Sequence, residues 1–466
     1  IERRVAVVGV IGLGYVGLPL AVEFARAGFR VLGFDIDRER IDALNRGICH
    51  IGDVDDGVLR QALATNLEAT SNFEHLSEAD VVMICVPTPL GKNKEPDVSH
   101  IMSAAEQSAR RLRRGQLILL ESTTFPGTTE ELLLPLFARR GLDVGNDYWL
   151  AFSPERIDPG NQRFTLRDTP RVVGGVTAQC TQLATALYST IVEKVVPVSS
   201  PAAAELVKLL ENTYRAVNIG LANEFAQMAD ILHIDIWEVI EAAATKPYGF
   251  MPFYPGPGTG GHCIPIDPLY LSWKLRSLRY RARFIELASE INEEMPEFVV
   301  DLTARALNEH GKCLNGASIL ALGVAYKRDI SDMRESPALD VMQLLLQRHA
   351  RLTYIDQHIP SFELNGMTYH TQTLTGESLR EADCVLILTD HSDVDYTQVV
   401  REARLLVDTR NATGHLPEAA HVWRMSPPHA TDLSLGGVLE GTHVACHPER
   451  SEGSQSPARD PSLCSG

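Results

Sequence analysis

The feature that most constrains the fold of this chain is a set of three glycines spaced as Gly12-Leu-Gly14-Tyr-Val-Gly17. The apolar stretch before it predicts a buried strand over residues 5–11, and the residues after it predict a helix over 18–27 that ends at Gly28. In that setting the first glycine permits a tight turn, the second lets backbone amides approach a pyrophosphate, and the third lets helix and strand pack closely. The turn, with Tyr15 and Val16 between its glycines, therefore predicts a dinucleotide site at a helix N-terminus.

An acidic residue after this turn indicates which dinucleotide binds. Asp35 ends a strand predicted over 31–35 and lies 18 residues beyond Gly17. A carboxylate at this point can bind both ribose hydroxyls and repels a 2′-phosphate. Asp37 adds to that repulsion, although Arg38 can offset it. We expect NAD rather than NADP as the cofactor.

Strands and helices alternate along most of the remaining chain, which is typical of a parallel, doubly wound sheet. The pattern predicts strands at 81–86, 117–121, 172–174 and 195–198, with helices at 38–46, 101–112 and 130–140. Long helical stretches follow over 201–244 and 280–309, and Pro296 is predicted to interrupt the second. The alternation then resumes with a helix at 338–348 and strands at 318–322, 351–355, 384–388 and 405–407. We expect an α/β protein with two Rossmann-like doubly wound domains, 1–200 and 311–426, joined by a central helical domain, 201–310. The tail, 427–466, is rich in Ser, Pro and Gly near its end and is predicted to be disordered.

Composition excludes several classes of partner. There are 43 Lys and Arg against 60 Asp and Glu, a net charge of -17, so nucleic acid and anionic membranes are poor partners. Residues 5–22 lack charges and follow two arginines, as in a signal peptide. A helix that contains their glycines and proline would cost roughly 1 kcal/mol per Gly and 3 per Pro, so a buried strand and a glycine turn are expected there instead. Eight cysteines without a C-x-x-C pair indicate neither a disulfide scaffold nor a zinc module, so a reducing cytoplasm is expected.

A glycine-rich segment, residues 255–268, contains the cysteine most suited to chemistry. Four glycines within six residues precede His262 and Cys263 and allow close approach of a ligand to the sulfur, whereas Cys85 and Cys384 lie within apolar strands and are expected in the core. A nucleophilic Cys263 needs thiolate character, which His262, a nearby lysine or loop amides can supply. No metal site is expected, because adjacent His and Cys residues rarely chelate together and no second ligand pair accompanies them.

Four polar residues form a stripe on the helix after Pro201. Glu205, Lys208, Asn212 and Arg215 are spaced by three, four and three residues. Such a stripe is often a solvated face, but the flanking Leu206, Val207, Leu209 and Leu210 predict a helix that is largely enclosed. A buried Lys208 beside Asn212 can then donate to a developing oxyanion.

Several separated motifs together resemble those of the UDP-glucose/GDP-mannose dehydrogenase family, over about residues 5–425. They are the glycine turn, Val86-Pro-Thr-Pro89, Glu121-Ser-Thr-Thr124 with Pro-Gly-Thr-Thr129, Ser153-Pro-Glu155, Lys208 with Asn212, Gly-Gly-His-Cys263, and Tyr326-Lys327 through Asp332-Met-Arg-Glu-Ser-Pro337. The resemblance implies an N-terminal NAD domain, a central domain that builds a homodimer or a higher homo-oligomer, and a C-terminal domain that holds the nucleotide of a UDP-sugar. The tail has no counterpart in this pattern.

The resemblance also implies a reaction. The C6 hydroxymethyl group of the sugar is oxidised twice with two NAD: an aldehyde forms, Cys263 captures it as a thiohemiacetal, a second hydride leaves to give a thioester, and water hydrolyses it. Lys208 and Asn212 would contact the oxyanion, Asp267 would exchange protons beside Lys208, and Glu155 and Thr123 would position the hydrolytic water.

Further residues match cofactor or substrate positions of the family. Thr88, Thr123 and Arg334 would lie near the cofactor, and Glu155, Lys208, Asn212, Tyr254, Gly260 and Lys327 would contact the sugar nucleotide. Taken alone, Glu155 also fits a surface turn, and Lys327 and Arg334 fit solvated loop charges.

The residues around Cys263 narrow the expected substrate. His262 before the cysteine and Pro265-Ile-Asp-Pro268 after it resemble the branch that acts on UDP-N-acetylglucosamine, for surface polysaccharide synthesis. Pocket shape decides among sugars, so UDP-N-acetylmannosamine and UDP-glucose stay open. A single-step β-hydroxyacid dehydrogenase and a non-catalytic NAD-binding protein are the alternatives of other classes.

Overall fold

The structure is a computed structural model, and it describes residues 1–51, 54–91, 94–157, 164–417 and 419–425. The tail predicted to be disordered, 427–466, lies outside the described residues. Among the described helices, none is both long and apolar enough to cross a membrane.

The N-terminal part forms an eight-stranded sheet with helices between its strands. Its strands are β1 (Val7–Ile11), β2 (Arg30–Phe34), β3 (Leu67–Thr70), β4 (Val81–Ile84), β5 (Leu117–Leu120), β6 (Trp149–Phe152), β7 (Arg171–Gly175) and β8 (Val195–Val198). Its helices are α1 (Gly17–Arg26), α2 (Arg38–Asn45), α3 (Asp56–Thr65), α4 (Ser99–Arg110), α5 (Leu134–Ala138) and α6 (Ala178–Tyr188), with a 3₁₀-helix at Phe73–Glu78 and a π-helix at Thr128–Leu133.

The strand order explains where a ligand can bind. The order is β3-β2-β1-β4-β5-β6-β7-β8, so the sheet is wound outward in both directions from β1 and β4. Loops after those strands part at this switch point and leave a crevice at the carboxyl ends. All neighbouring strands are parallel except β6 and β7, which pair in antiparallel fashion. Buried residues of the strands, such as Val8, Val10 and Met83, pack in the hydrophobic core.

The middle of the chain is helical, as predicted. It contains α7 (Pro201–Leu232), α8 (Ile236–Ala244), α9 (Asp267–Ser277) and α10 (Arg283–Glu309). The predicted stretch 201–244 breaks at His233, which takes a left-handed conformation with φ +56°, and the Asp235 side chain then caps α8. Such a residue ends a helix because it satisfies the last carbonyls through its own backbone amide.

The predicted interruption at Pro296 is wrong, since α10 continues through it. Proline has no N–H for the carbonyl of Asn292, four residues earlier. Gly258 lies against that carbonyl, where a Cβ would come within 3.0 Å of the oxygen. The proline therefore leaves an open carbonyl beside the glycine-rich segment without ending the helix.

The C-terminal part is a smaller parallel sheet. It contains β9 (Ser318–Leu322), α11 (Pro337–Gln347), β10 (Arg351–Ile355), β11 (Ser361–Leu364), β12 (Met367–His370), α12 (Gly376–Glu381), β13 (Cys384–Ile387), α13 (Tyr396–Glu402), β14 (Leu406–Asp408) and β15 (Val422–Arg424). The order is β10-β9-β13-β14-β15, and β11 and β12 form a separate antiparallel hairpin. The predicted fold class of two doubly wound α/β units joined by helices is confirmed, while the residue boundaries of the domains stay a prediction.

Candidate active site

The glycine turn has the geometry that its spacing predicts. Gly12 has φ +91°, and a Cβ on it would lie 2.4 Å from the carbonyl oxygen of Cys85. A Cβ on Gly17 would lie 1.9 Å from the carbonyl oxygen of Gly12, so β1 and α1 can approach only with glycine there. A Cβ on Gly14 would meet nothing within 4 Å, so the space in front of it is open. Tyr15 and Val16 line the same space, which fits a pyrophosphate at the α1 N-terminus.

Asp35 is held in place beside this turn. Its Oδ2 accepts hydrogen bonds from the Leu13 amide at 3.0 Å and from the Arg40 guanidinium at 3.0 Å. Sequence reasoning considered Arg38 as the residue that offsets the acidic charge, but the ion pair is formed by Arg40. The Arg40 guanidinium neutralises part of the Asp35 charge. The sequence did not reveal this contact, because the turn of α2 brings Arg40 to Asp35.

Thr88 and Thr123 follow two neighbouring strands, β4 and β5, and both line the crevice. The segment that holds Thr88 is fixed to α9, because the buried Tyr270 hydroxyl donates to the carbonyl of Thr88. Since α9 starts at Asp267, shortly after Cys263, this bond connects the segment after β4 to the cysteine segment.

Cys263 lies in the crevice at the end of the glycine-rich segment. A Cβ on Gly260 would lie 2.6 Å from the Cβ of Tyr326, and the Gly261 amide donates to the Arg334 carbonyl at 3.1 Å. The glycines therefore let the cysteine segment pack directly on the loop that follows β9. Cys85 and Cys384 are buried, as predicted, Cys384 within β13 and Cys85 directly after β4.

The Cys263 thiol is not activated in this state. Burial raises its pKa to about 11, the negative charge of Asp267 adds to the rise, and Lys208 opposes it. Burial and the positive charge of Arg334 lower the pKa of His262, which is therefore a neutral imidazole at pH 7. Of the three sources named for thiolate character, a neutral His262 ring adds no positive charge, which leaves Lys208 and the loop amides.

The polar residues of the α7 stripe have different environments. Lys208 and Asn212 are buried and line the crevice, and the Asn212 amide donates to the Asp267 Oδ2 at 2.5 Å. Burial raises the pKa of Asp267 to about 7, although Lys208 and Asn212 favour its charged form. Asp267 can therefore hold or release a proton near neutral pH, next to the residues proposed for the oxyanion.

Glu205 at the start of the stripe has a different environment. Its carboxylate accepts from the backbone amides of Gly127 and Thr129, at 2.6 and 2.9 Å, and so fixes the π-helix. Within a single chain the flanking leucines enclose α7 only in part, because Leu209 is buried but Leu206 and Leu210 are 43% and 65% exposed.

Glu155 belongs to a buried charge cluster at the back of the crevice. The Arg171 guanidinium donates to the Glu155 Oε2 at 2.7 Å and also to Glu121, which accepts a second bond from the Tyr188 hydroxyl. Burial acts to raise the pKa of Glu155, but the charge of Arg171 outweighs it and holds the pKa below its usual value. Burial raises the pKa of Glu121 to about 8 despite Arg171. Glu155 is thus the ionised carboxylate of the pair.

Lys327 and Arg334 reach the crevice from the loop that follows β9. The Arg334 guanidinium stacks 4.8 Å above the Tyr15 ring and is held by Asp332 at 2.7 Å. The C-terminal loop therefore contacts the glycine turn directly. Both basic residues face the same space as Cys263, where they can meet phosphate groups.

Tyr254 is a predicted site residue whose side chain does not line the crevice. Its ring stacks on Trp237 of α8, with centroids 6.1 Å apart and planes 17° apart, and the side chain is half exposed. The ring therefore does not line the cavity that contains Cys263 in this structure. The assignment of Tyr254 to the substrate stays a prediction.

The other predicted residues, apart from Gly17 and Asp267, line one cavity of about 1620 Å³. Ligand clefts of proteins usually span about 300–1,000 Å³, so this space suffices for a dinucleotide and a sugar nucleotide together. Its lining includes Gly12, Asp35, Glu155, Lys208 and Cys263, which come from distant parts of the sequence. Sequence reasoning missed Arg171 and gave Glu121 no role, although Glu121 opens one of the family motifs quoted above.

Family comparisons agree with the order of these parts. Residues 6–192 match the description "UDP-glucose/GDP-mannose dehydrogenase family, NAD binding domain". Residues 202–294 match the central domain of the same family, and residues 320–415 match its UDP binding domain.

Similar proteins include enzymes named for different sugars. The UDP-N-acetyl-D-mannosamine dehydrogenase of Methanococcus aeolicus is 34% identical over 431 residues, which are 89% of this chain and 93% of that protein. The UDP-N-acetyl-D-glucosamine 6-dehydrogenase of Pseudomonas aeruginosa is 36% identical over 351 residues, 75% of this chain and 82% of that protein. The solved structure of UDP-D-ManNAc dehydrogenase from Pyrococcus horikoshii has a TM-score of 0.82 and 34% identity, covering 90% of this chain and 99% of that one.

Proposed function

Because the chain belongs to the UDP-glucose/GDP-mannose dehydrogenase family, we propose that it oxidises C6 of UDP-N-acetylglucosamine to a carboxylate. Its cofactor is NAD, as the family's NAD binding domain indicates. The observation that supports the proposal best is the shared cavity, in which Cys263, Lys208 and Asn212 lie between the glycine turn and the UDP binding domain.

The residues around Asp35 and the glycine turn would hold the NAD. The open space before Gly14, the α1 N-terminus and the Asp35 carboxylate fit a pyrophosphate and a ribose diol. When bound, NAD supplies a hydride acceptor for each of the two oxidations.

The residues of α7 and α9 would manage charge and protons at C6. Lys208 and Asn212 donate to the oxygen on C6 as negative charge develops there. Asp267, with its pKa near 7, takes up a proton next to them. Since the resting thiol of Cys263 is neutral, it must lose its proton as its sulfur bonds to the aldehyde carbon, which yields a thiohemiacetal and then, after the second oxidation, a thioester.

Hydrolysis of that thioester would use the charge cluster. The ionised Glu155, fixed by Arg171, can accept a proton from an attacking water, and Thr123 after the neighbouring strand β5 can orient that water. The carboxylate product then leaves and the free thiol returns. Earlier in the sequence, capture as a thiohemiacetal on Cys263 keeps the reactive aldehyde from escaping into solution.

A second substrate is supported by a specific observation. The relatives from Methanococcus aeolicus and Pyrococcus horikoshii, each covered by this chain over more than nine-tenths of its length, are named for UDP-N-acetylmannosamine. UDP-N-acetylmannosamine is therefore the second candidate. The two sugars differ in the configuration at C2, so contacts to the N-acetyl group decide between them.

A substrate panel tests these assignments. Purified protein is given UDP-N-acetylglucosamine, UDP-N-acetylmannosamine, UDP-glucose or UDP-N-acetylgalactosamine, each with NAD and then NADP, and NADH is counted per sugar consumed. The proposal predicts the highest kcat/KM for UDP-N-acetylglucosamine with NAD, and two NADH per sugar. One NADH per sugar would indicate a single-step dehydrogenase, and no turnover with any sugar would favour a non-catalytic protein.

We propose a homodimer through an apolar face of α7. The exposed residues of this face repeat at intervals of three, four or seven and follow the helix to its end: Leu206, Leu210, Tyr214, Leu221, Phe225, Met228 and Leu232. A helix of 32 residues is about 48 Å long, so the face is too extended to be a scattering of single apolar residues. A second copy of the same helix is the partner whose pattern matches it.

A further inference from the structure

Four potential metal ligands converge in the C-terminal part, away from the crevice. They lie in the loops after three neighbouring strands of the five-stranded sheet. Asp329 follows β9, His358 follows β10, and His391 and Asp393 follow β13. One ligand atom of each lies within 4.8 Å of the others. The four residues come from three loops, so only the folded sheet brings them together.

The distances among these atoms are close to those of a loaded site. The His358 Nε2 lies 3.7 Å from the Asp393 Oδ2 and 4.0 Å from the Asp329 Oδ1. The His391 Nδ1 lies 3.7 Å from the same Asp329 oxygen. Ligands around tetrahedral zinc, with bonds of about 2.0–2.1 Å, are about 3.4 Å apart, so a small contraction of the loops suffices.

A buried carboxylate, Asp356, orients both histidines. Its Oδ2 accepts from the His391 Nε2 at 3.1 Å, and its Oδ1 accepts from the His358 backbone amide at 2.8 Å. Because Nε2 of His391 donates to Asp356, the lone pair of its Nδ1 points toward Asp329. Histidines that bind metals commonly donate their other ring nitrogen to a carboxylate in this way.

The cluster also contains a polar atom that has no hydrogen bond. Within the part of the chain that the structure describes, the His358 Nε2 is shielded from solvent and has no hydrogen-bond partner. The Asp329 carboxylate is already oriented by the Ser392 amide at 2.8 Å and the Ser392 hydroxyl at 2.7 Å. The His391 Nδ1 accepts from the Asp329 amide at 3.0 Å, and a metal ion would take the place of that hydrogen bond.

We propose that Asp329, His358, His391 and Asp393 bind one divalent transition-metal ion of the zinc class. Two imidazoles and two carboxylates suit Zn²⁺, whereas Mg²⁺ and Ca²⁺ prefer sites built from oxygen alone. Two neutral histidines and two carboxylates also balance the charge of a divalent ion. No sequence pattern indicates this site, because its ligands are spread over 65 residues without a recognisable spacing.

The ion would be structural and would connect the three loops. Asp329 lies two residues after Lys327, which faces the crevice from the same loop. A metal that ties this loop to the ends of β10 and β13 would fix the position of Lys327. Metal binding itself does not depend on the substrate proposed above, so it is tested without any sugar nucleotide.

The test uses the full chain, stripped of metal with a chelator and titrated with Co²⁺ and with Zn²⁺. The proposal predicts one Co²⁺ per chain with the visible absorption of a tetrahedral site, displacement of Co²⁺ by Zn²⁺, and a higher Tm with Zn²⁺. The double variant His358→Ala with Asp393→Ala should lose all three effects. His370→Ala, which removes an exposed histidine from β12, is the matched control and should keep them.

Two results would overturn the proposal. One is equal Zn²⁺ stoichiometry and an equal rise in Tm in the double variant and the wild type, which would mean adventitious binding elsewhere. The other is the absence of Co²⁺ absorption in a wild-type protein that is folded by circular dichroism. A double variant that fails to fold is replaced by Asp393→Asn, which keeps the side-chain shape and should weaken Zn²⁺ binding at least tenfold.

Discussion

Replacement of Asp267 by asparagine should make the protein more stable at alkaline pH. Asp267 is 2% exposed, and burial raises its pKa from 3.8 to about 7. The folded protein therefore keeps a proton on this carboxyl through a pH range in which the unfolded chain has lost it. The stability that this proton contributes is fully present below the pKa of the unfolded chain. It is lost as the pH rises through the pKa of the folded protein.

The size of the effect follows from the two pKa values. The interval from 3.8 to about 7 corresponds to about 4 kcal/mol in total. Between pH 5 and pH 8, the wild type should lose about 3 kcal/mol of unfolding free energy through this carboxyl alone. Asparagine has nearly the same shape, does not titrate, and can still face the Asn212 amide.

Urea denaturation at pH 5, 6, 7 and 8 measures the difference. The unfolding free energy of Asp267→Asn minus that of the wild type should increase by about 3 kcal/mol over this range. Asp42→Asn, an exposed position on α2, is the control and should show no trend. A difference that does not change with pH would refute the argument that burial holds a proton on Asp267. Turnover by Asp267→Asn should fall strongly at every pH, because the proposed proton acceptor is absent.

Three further predictions concern the charge cluster, the glycine turn and the apolar face. Arg171→Met should lower the unfolding free energy by about 3–5 kcal/mol, since Glu121 and Glu155 lose their buried cation; a loss below about 1 kcal/mol in urea denaturation would show that the cluster is not charged as described. Gly14→Ala should keep the wild-type Tm but weaken NAD binding at least tenfold in a fluorescence titration. Gly17→Ala should lower the Tm, because its Cβ would meet a backbone oxygen. Equal effects of the two changes would contradict the described turn. Leu221→Glu with Phe225→Glu should convert the dimer to a monomer in light scattering, while Glu309→Lys, at the exposed end of α10, should not; an unchanged mass of the double variant would place the interface elsewhere.

Local motifs accounted for the parts of the site that are built from consecutive residues. The glycine turn and the Cys263 segment need particular backbone conformations, and only glycine allows them, so the requirement is visible in the sequence. Ser200 and Pro201 likewise mark the start of α7 where it was predicted.

Contacts between distant residues could not be read in this way. Arg171 reaches Glu121 across 50 positions, and neither residue has a local pattern that indicates the other. Tyr254 lies close to Cys263 in sequence, but packing against Trp237 turns its ring elsewhere. Pro296 was expected to interrupt a helix that in fact continues through it, and the contact of Gly258 with the carbonyl it leaves open joins two distant segments.

The central claim is that the sulfur of Cys263 becomes bonded to C6 of the sugar. Its most direct test is acid quenching of Glu155→Gln after reaction with NAD and UDP-N-acetylglucosamine or UDP-N-acetylmannosamine, followed by mass spectrometry of the peptide that contains Cys263. The account predicts a sugar-nucleotide acyl adduct on this cysteine, which hydroxylamine removes and which is absent from Cys263→Ser. Two NADH per sugar from Cys263→Ser, or an unmodified Cys263 in Glu155→Gln after NADH has formed, would contradict it.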